Sequence, residues 1–197
     1  MVNVMRKLTY IVLIFLNASV AFAQKTDSLA SVKVKTKNIN GTMMTSAKDI
    51  VENTSLSPEF TKLDSIIKAA DLVDNFKSGT ITFFAPTNKT FDMLAHGVLD
   101  TLLRPAHKAD LVNLLNYHTV PGKVSSKDLE RQIKAGNGQA TLTTISGGTL
   151  TARINENRNI VLTDENGVQS VITRLDIEQS NGMLFIVNAV LLPKAKQ

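Results

Sequence analysis

The chain changes its pattern at Ala140, and this switch limits the possible folds more than any other feature of the sequence. Beyond it the runs ATLTTI, GTLTARI, NIVLTD, VQSVITRLDI and GMLFIVNAVLL are short, alternating and rich in β-branched residues. Gly147-Gly148, Glu156–Asn159, Asp164–Gly167 and Asn181-Gly182 separate them, and these residue types form tight turns. Upstream the signals are helical. Ser46 with Asp49 reads as a capping-box variant opening a short helix through Val51. Ser57-Pro58-Glu59 reads as a stronger helix start, with Phe60, Leu63, Ile66, Ile67 and Ala70 on one face. Pro105 opens a further helix with Leu111, Leu114 and Leu115 as its buried stripe. Tyr117–Val120 is predicted as a strand ended by Pro121-Gly122, and SSKDLERQI as one more short helix. Helices in the first half and strands in the second predict an α+β domain, not alternating βαβ units.

Within the first half, ITFFAPTNKTF, residues 81–91, reads as a strand-to-helix corner. Thr80–Phe84 reads as a buried strand. Pro86 cannot donate to a ladder and pushes Ala85 toward an extended shape, so the strand stops there. Thr87 then caps a helix over Asn88–Leu94 with Phe91 facing inward. Each residue type in this corner has a backbone reason, which makes it architecture and not a catalytic loop.

The first 23 residues carry basic Arg6 and Lys7, an apolar run from Leu8 to Leu16, and Ala21-Phe22-Ala23 before Gln24. That order is a secretory signal peptide cut near Ala23, which predicts a secreted or periplasmic mature chain. The apolar run is short for a membrane span, and no later stretch is apolar enough for one. Losing Arg6 and Lys7, two of the 22 basic residues, against 17 retained acidic ones lowers the formal net charge from +5 to +3. Lys33, Lys35 and Lys37 cluster without interleaved aromatics, so nucleic acid is not an expected partner. Absence of cysteine excludes disulfides, thiolate metal sites and a cysteine nucleophile. Residues 24–45 read as a polar, flexible leader with a weak strand at Ser31–Lys35. Residues 46–193, roughly 150, make a single domain, followed by a short tail at 194–197.

No constellation points to catalysis. His96, His107 and His118 recur every eleven residues, but Gly97, Pro105 and the strand reading at Tyr117 break any single helix that would align them, so no metal site is expected. Hydrolase elbows, zincin motifs and phosphate loops are missing, and no cofactor is implied. Asn40, Asn53 and Asn88 open Asn-x-Ser/Thr sequons.

TFFAPTNKTFDML resembles the first signature box of the fasciclin domain, LLNYHTVPGK its central Tyr-His segment, and SNGMLFIVNAVLLP its closing box. The order and spacing of these boxes cover Ser46–Pro193. The resemblance implies a β-sandwich or wedge joined to short helices, with Phe84, Pro86, Thr87, Asn88, Phe91, Asn181, Gly182 and Pro193 as structural positions. It also implies adhesion or matrix association without catalysis. Adhesion in animal members of the family is tied to an Asp-Ile pair and to the Tyr-His segment, which here are Asp176-Ile177 and Tyr117-His118. The residues themselves favour reading Asp176 as a turn acceptor and Tyr117-His118 as packing. Two positions depart from the family pattern: Phe185 stands where His is usual, and Asn188 where Asp is usual. The expectation is an exported binding module for a protein or glycan at a cell surface or matrix. The alternatives are a self-assembling envelope protein, or an enzyme using His118 with Asp128 or Asp176.

Overall fold

A computed structural model describes residues 33–194, so the expected signal peptide, its expected cut site, and the first residues of the expected polar leader lie outside the described residues. Nine strands and seven α-helices follow in chain order. They are β1 (Thr36–Ile39), β2 (Thr42–Thr45), α1 (Ile50–Ser55), α2 (Thr61–Ala69), α3 (Val73–Lys77), β3 (Ile81–Pro86), α4 (Asn88–Asp92) and α5 (Val98–Leu102). After them come α6 (Lys108–Tyr117), β4 (Thr119–Pro121), α7 (Ser126–Ala135), β5 (Gln139–Thr143), β6 (Thr149–Ile154), β7 (Ile160–Thr163), β8 (Gln169–Gln179) and β9 (Gly182–Val187). Short 3₁₀ turns at Pro58–Phe60 and Pro105–His107 lead into α2 and α6.

The fold is α+β, as the pattern switch predicts. Seven strands form one sheet in the order β4-β3-β9-β8-β7-β6-β5, antiparallel throughout except for the parallel β3–β9 pair. The sheet is nearly closed: just past β5, the Ile145 amide donates to Thr119 O of β4 at 2.8 Å. Both faces of its centre are buried. One core joins α1, α2, α3 and α6 to Phe83, Ala85, Leu184 and Ile186; the other gathers Phe84, Tyr117, Leu129, Leu150, Phe185 and Val187. Alternate residues of β3 and β9 therefore enter different cores, which is why both strands read as unbroken apolar runs.

The corner keeps the strand, cap and helix that its sequence reads, but the strand runs from Ile81 through Pro86 instead of stopping at Phe84, because the parallel pairing with β9 continues to Val187. All six residues of β3 are buried, and Phe84 has no exposed surface. Thr87 caps α4 by accepting from the Thr90 amide, and Phe91 packs in the first core. Asn88 ties the corner to α2: its Oδ1 accepts from Lys62 N at 2.9 Å and its Nδ2 donates to Pro58 O at 2.8 Å. Gly182 starts β9 so close to β3 that a Cβ would stand 1.8 Å from Ile81 O, which only glycine tolerates. Asn181 braces the same point, accepting from Ile50 N at 3.1 Å and donating to Phe76 O.

Five further expectations differ from what is found. The leader is not flexible through residue 45: β1 and β2 pair as a hairpin around Asn40-Gly41, both at positive φ, and seat Ile39 and Met44 in the first core. The strand lies at Thr36–Ile39 and Lys33–Lys35 stand outside it, while the first two residues of the expected Ser31–Lys35 strand lie outside the described residues. The first helix is capped by Asp49 with Glu52 in a capping box, because Ser46 Oγ is already accepting from Lys35 N. Ser57 makes no side-chain cap, and its hydroxyl is buried without a partner. Tyr117 is the last residue of α6, and the strand begins only at Thr119, since Leu111, Leu114 and Leu115 keep the helical stripe in register with the core.

Candidate functional site

The residues singled out for binding fall in two places. Asp176 and Ile177 lie in β8, where two register shifts against β9 between Ile172 and Ile177 lift the strand out of its ladder. Asp176 sits there at φ 51°, a left-handed conformation that Asp accepts better than most residues. Its carboxylate turns to the start of α7, accepting from Ser126 N at 2.7 Å and from the Ser126 hydroxyl. A carboxylate suits the positive end of a helix. Beside it, Asp128 closes a capping box with Ser125, whose hydroxyl and amide hold the Asp128 carboxyl below its ordinary range. Ile177 points the other way and is buried in the first core.

Asp176 borders a cleft of about 420 Å³ between β1 and β8, walled also by Lys33, Lys35, Lys37, Met44 and Glu178. Glu178 takes the ammonium groups of Lys123 and Lys35, the latter at 2.6 Å, and the pair pulls its carboxyl below the usual value. Lys37 donates to Leu175 O across the cleft. Three lysines thus line the cleft with two carboxylates, and Lys123 reaches Glu178 from outside that lining. Sequence reasoning set Lys33–Lys37 aside as leader; their alternation, which places all three on one face of an extended strand, was the available signal.

Tyr117 and His118 lie inside the second core and its border, both buried. The Tyr117 hydroxyl donates to Thr149 O at 2.8 Å and accepts from Glu165 N at 3.1 Å, and burial pushes its pKa up to about 12. His118 Nδ1 lies 2.9 Å from Leu114 O, and Nε2 accepts from Leu191 N at 3.1 Å. Phe185, where the family pattern has His, stacks on Phe84 with ring centroids 5.6 Å apart. Asn188 accepts from Val171 N at 2.7 Å. The polar connection between the Tyr-His segment and the chain end is remade through backbone. Asp164 completes it and was not singled out from sequence: it accepts from Asn166 N, Val168 N and Leu192 N, and three amide partners leave no mark in a sequence.

The structure does not bring the three histidines together. His96 and His107 border a shallow depression with Val98 and Leu102, while His118 is enclosed in the core. Nor does His118 share a cleft with Asp128 or Asp176, since both its nitrogens are committed to backbone. Among the described residues no group of three His, Cys, Asp or Glu is placed to hold a metal, and no helix is long and apolar enough to cross a membrane. Of the sequons, Asn88 is committed as described, Asn53 is buried with its amide on Thr45 O at 2.9 Å, and Asn40 sits exposed at the hairpin tip. Pro193 lies between two surface depressions.

A bent seven-stranded sheet with helices packed at its central strands, a buried Tyr-His joint and an Asn-Gly joint at the start of β9 defines a known fold. The solved FAS1 domain pair from the insect cell adhesion molecule Fasciclin I superposes with a TM-score of 0.65 at 14% identity, covering 81% of this chain and 66% of that one. The fasciclin domain model matches residues 58–193, and the chain belongs to the fasciclin domain family. Its relatives include the Synechocystis protein sll1483, 33% identical over 149 residues and covering 75% of each chain. Another is the cell surface glycolipoprotein MPB83 of Mycobacterium bovis, 27% identical over 126 residues, covering 64% of this chain and 50% of that one.

Proposed function

We propose that this chain is an exported, non-catalytic binding module that associates with a cell surface or matrix by holding a protein or glycan in the cleft between β1 and β8. The observation that carries this reading is the position of Asp176. Of the four residues the family pattern ties to adhesion, it alone is partly exposed, and it stands on the wall of a lysine-rich cleft. Tyr117, His118 and Ile177 support the scaffold from within. The excess of lysine over carboxylate favours a partner carrying carboxylate or sulfate groups. Kinship with a cell adhesion molecule and a cell surface glycolipoprotein supports the setting, and the leader sequence supports a secreted or periplasmic location after cleavage near Ala23. The enclosed His118 argues against acid–base chemistry with Asp128 or Asp176. The sheet edges argue against strand-to-strand assembly: β5 packs under α7, and the segment after β5 is tied to β4.

The test is binding of the folded mature chain to arrays of matrix proteins and of acidic and neutral glycans, in low and high salt. Salt-sensitive binding lost in a Lys33→Glu/Lys37→Glu variant supports the reading. Background signal throughout, from protein shown to be folded, contradicts it.

A further inference from the structure

The end of the domain is fastened by side chains that adhesion does not require. After β9 the chain crosses the sheet as residues 188–194, with Val190 and Leu191 buried. His118 holds Leu191 N, Asp164 holds Leu192 N at 2.9 Å, Asn166 Nδ2 donates to Leu192 O at 2.7 Å, and Ser170 bonds both amide and carbonyl of Ala189. Of these, His118 is the one whose bonding must invert on taking a proton. A carbonyl only accepts and an amide N–H only donates, so the Leu114 and Leu191 contacts fix a neutral ring with its hydrogen on Nδ1. A hydrogen on Nε2 would face the Leu191 N–H, donor against donor.

We propose that His118 is an acid-released latch: protonation at Nε2 breaks its bond to Leu191 and frees residues 189–194 from the body of the domain. The surroundings make the neutral ring the stable one. From α6 the neighbouring titratable group is Tyr117, whose hydroxyl is neutral. The turn after β7 presents Asp164, whose charge favours a protonated ring, with Glu165 exposed beyond it. Strand β3 meets His118 at the Phe84 amide, and the adjoining core is built of Phe84, Phe185 and Leu191. Burial outweighs both the bond to the Leu114 carbonyl and the charge of Asp164, which favour a protonated ring, and lowers the ring's pKa from 6.5 to about 4. The sign follows. A released or unfolded ring takes a proton near 6.5, whereas the latched ring does not until about 4. The latch is therefore fully effective above about 6.5 and weakens as pH falls from there to about 4. Opening then rises roughly tenfold per pH unit across that window, on the order of a few hundred-fold in all.

What the latch controls is surface. Leu192, Pro193 and Lys194 wall a depression of about 490 Å³ with Leu102, Asp110 and Asn113, and Pro193 and Lys194 also wall one of about 260 Å³ beside Gly147 and Gly148. Release would remove the wall common to both and uncover Val190 and Leu191. The device would report the acidity of the medium in which an exported chain resides.

Hydrogen–deuterium exchange of the mature chain between pH 7.5 and 4.5, corrected for intrinsic rates, tests the inference. Protection of the amides of 189–192 should fall close to tenfold per unit below pH 6.5 while β5 and β6 keep theirs. His118→Gln, whose amide can accept from Leu191 and donate to Leu114 without titrating, should abolish the pH dependence, and Asp164→Asn should retain it. Should His118→Gln not fold, the ring ¹⁵N resonances of wild-type His118 provide the test: they must show a neutral ring with its hydrogen on Nδ1 while protection at 191 falls below pH 6.5, and a closed-state ring that titrates near 6.5 would overturn the proposal. Protection of 189–192 that is constant with pH, or lost together with that of β5 and β6, would overturn the proposal.

Discussion

Replacing Phe84 with alanine tests the weld between sheet and helices. The ring has no exposed surface and stacks on Phe185 at an interplanar angle of 19°. Buried Phe→Ala replacements cost about 3–5 kcal/mol, more where the surroundings cannot collapse into the space. Here collapse is blocked. The Phe84 amide is tied to His118 O at 2.9 Å, the strand is paired with β9 on one side and β4 on the other, and Phe83 and Ala85 are anchored in the opposite core. A loss of about 4 kcal/mol is therefore expected, a large share of the roughly 5–15 kcal/mol that stabilises an ordinary domain. Urea unfolding followed by far-ultraviolet circular dichroism should show the midpoint falling by about 2 M with an unchanged slope near 2 kcal/mol per M. A double-mutant cycle with Phe185→Leu should give a coupling of about 1 kcal/mol from the lost stacking. A loss below about 1 kcal/mol for Phe84→Ala would refute the reasoning, because it would mean the ring contributes no packing.

Gly182→Ala should prevent stable folding, since even a methyl group cannot stand 1.8 Å from Ile81 O; expression as soluble, cooperatively unfolding protein would contradict the β3–β9 register. Tyr117→Phe should cost about 1–3 kcal/mol in the same urea assay, because the Glu165 amide loses its acceptor and the Thr149 carbonyl its donor. Asp176→Ala should cost about 1–2 kcal/mol, the usual price of a lost helix cap; an unchanged midpoint would show that its bonds to Ser126 contribute nothing.

The legible parts of the fold are those written in local chemistry. Thr87 three residues before Thr90 and Ser125 three before Asp128 each specify a backbone event within one turn of chain, and each is found, whereas the strand runs on through Pro86. The β1–β2 hairpin was missed because Thr36–Thr45 is mostly polar, with Ile39 and Met44 as its two buried anchors; the Asn40-Gly41 turn was its only strong mark. Parallel pairing of β3 with β9 joins residues a hundred positions apart and rests on the absent Cβ of Gly182, which a single sequence does not reveal. The candidate site was half legible. Asp176 could be picked out by family pattern, but the cleft exists only because the hairpin folds Lys33–Lys37 across β8, and the bulges that turn Asp176 toward α7 have no local signature.

The central claim is that the β1–β8 cleft is the binding face. Backbone NMR of the isotope-labelled mature chain, titrated with whichever matrix protein or glycan the arrays identify, tests it most directly. The account predicts the largest shift changes at Lys33–Lys37, Lys123, Asp176 and Glu178, fading with added salt. Changes confined to the far end of the domain around α5, with those residues unmoved, would contradict it.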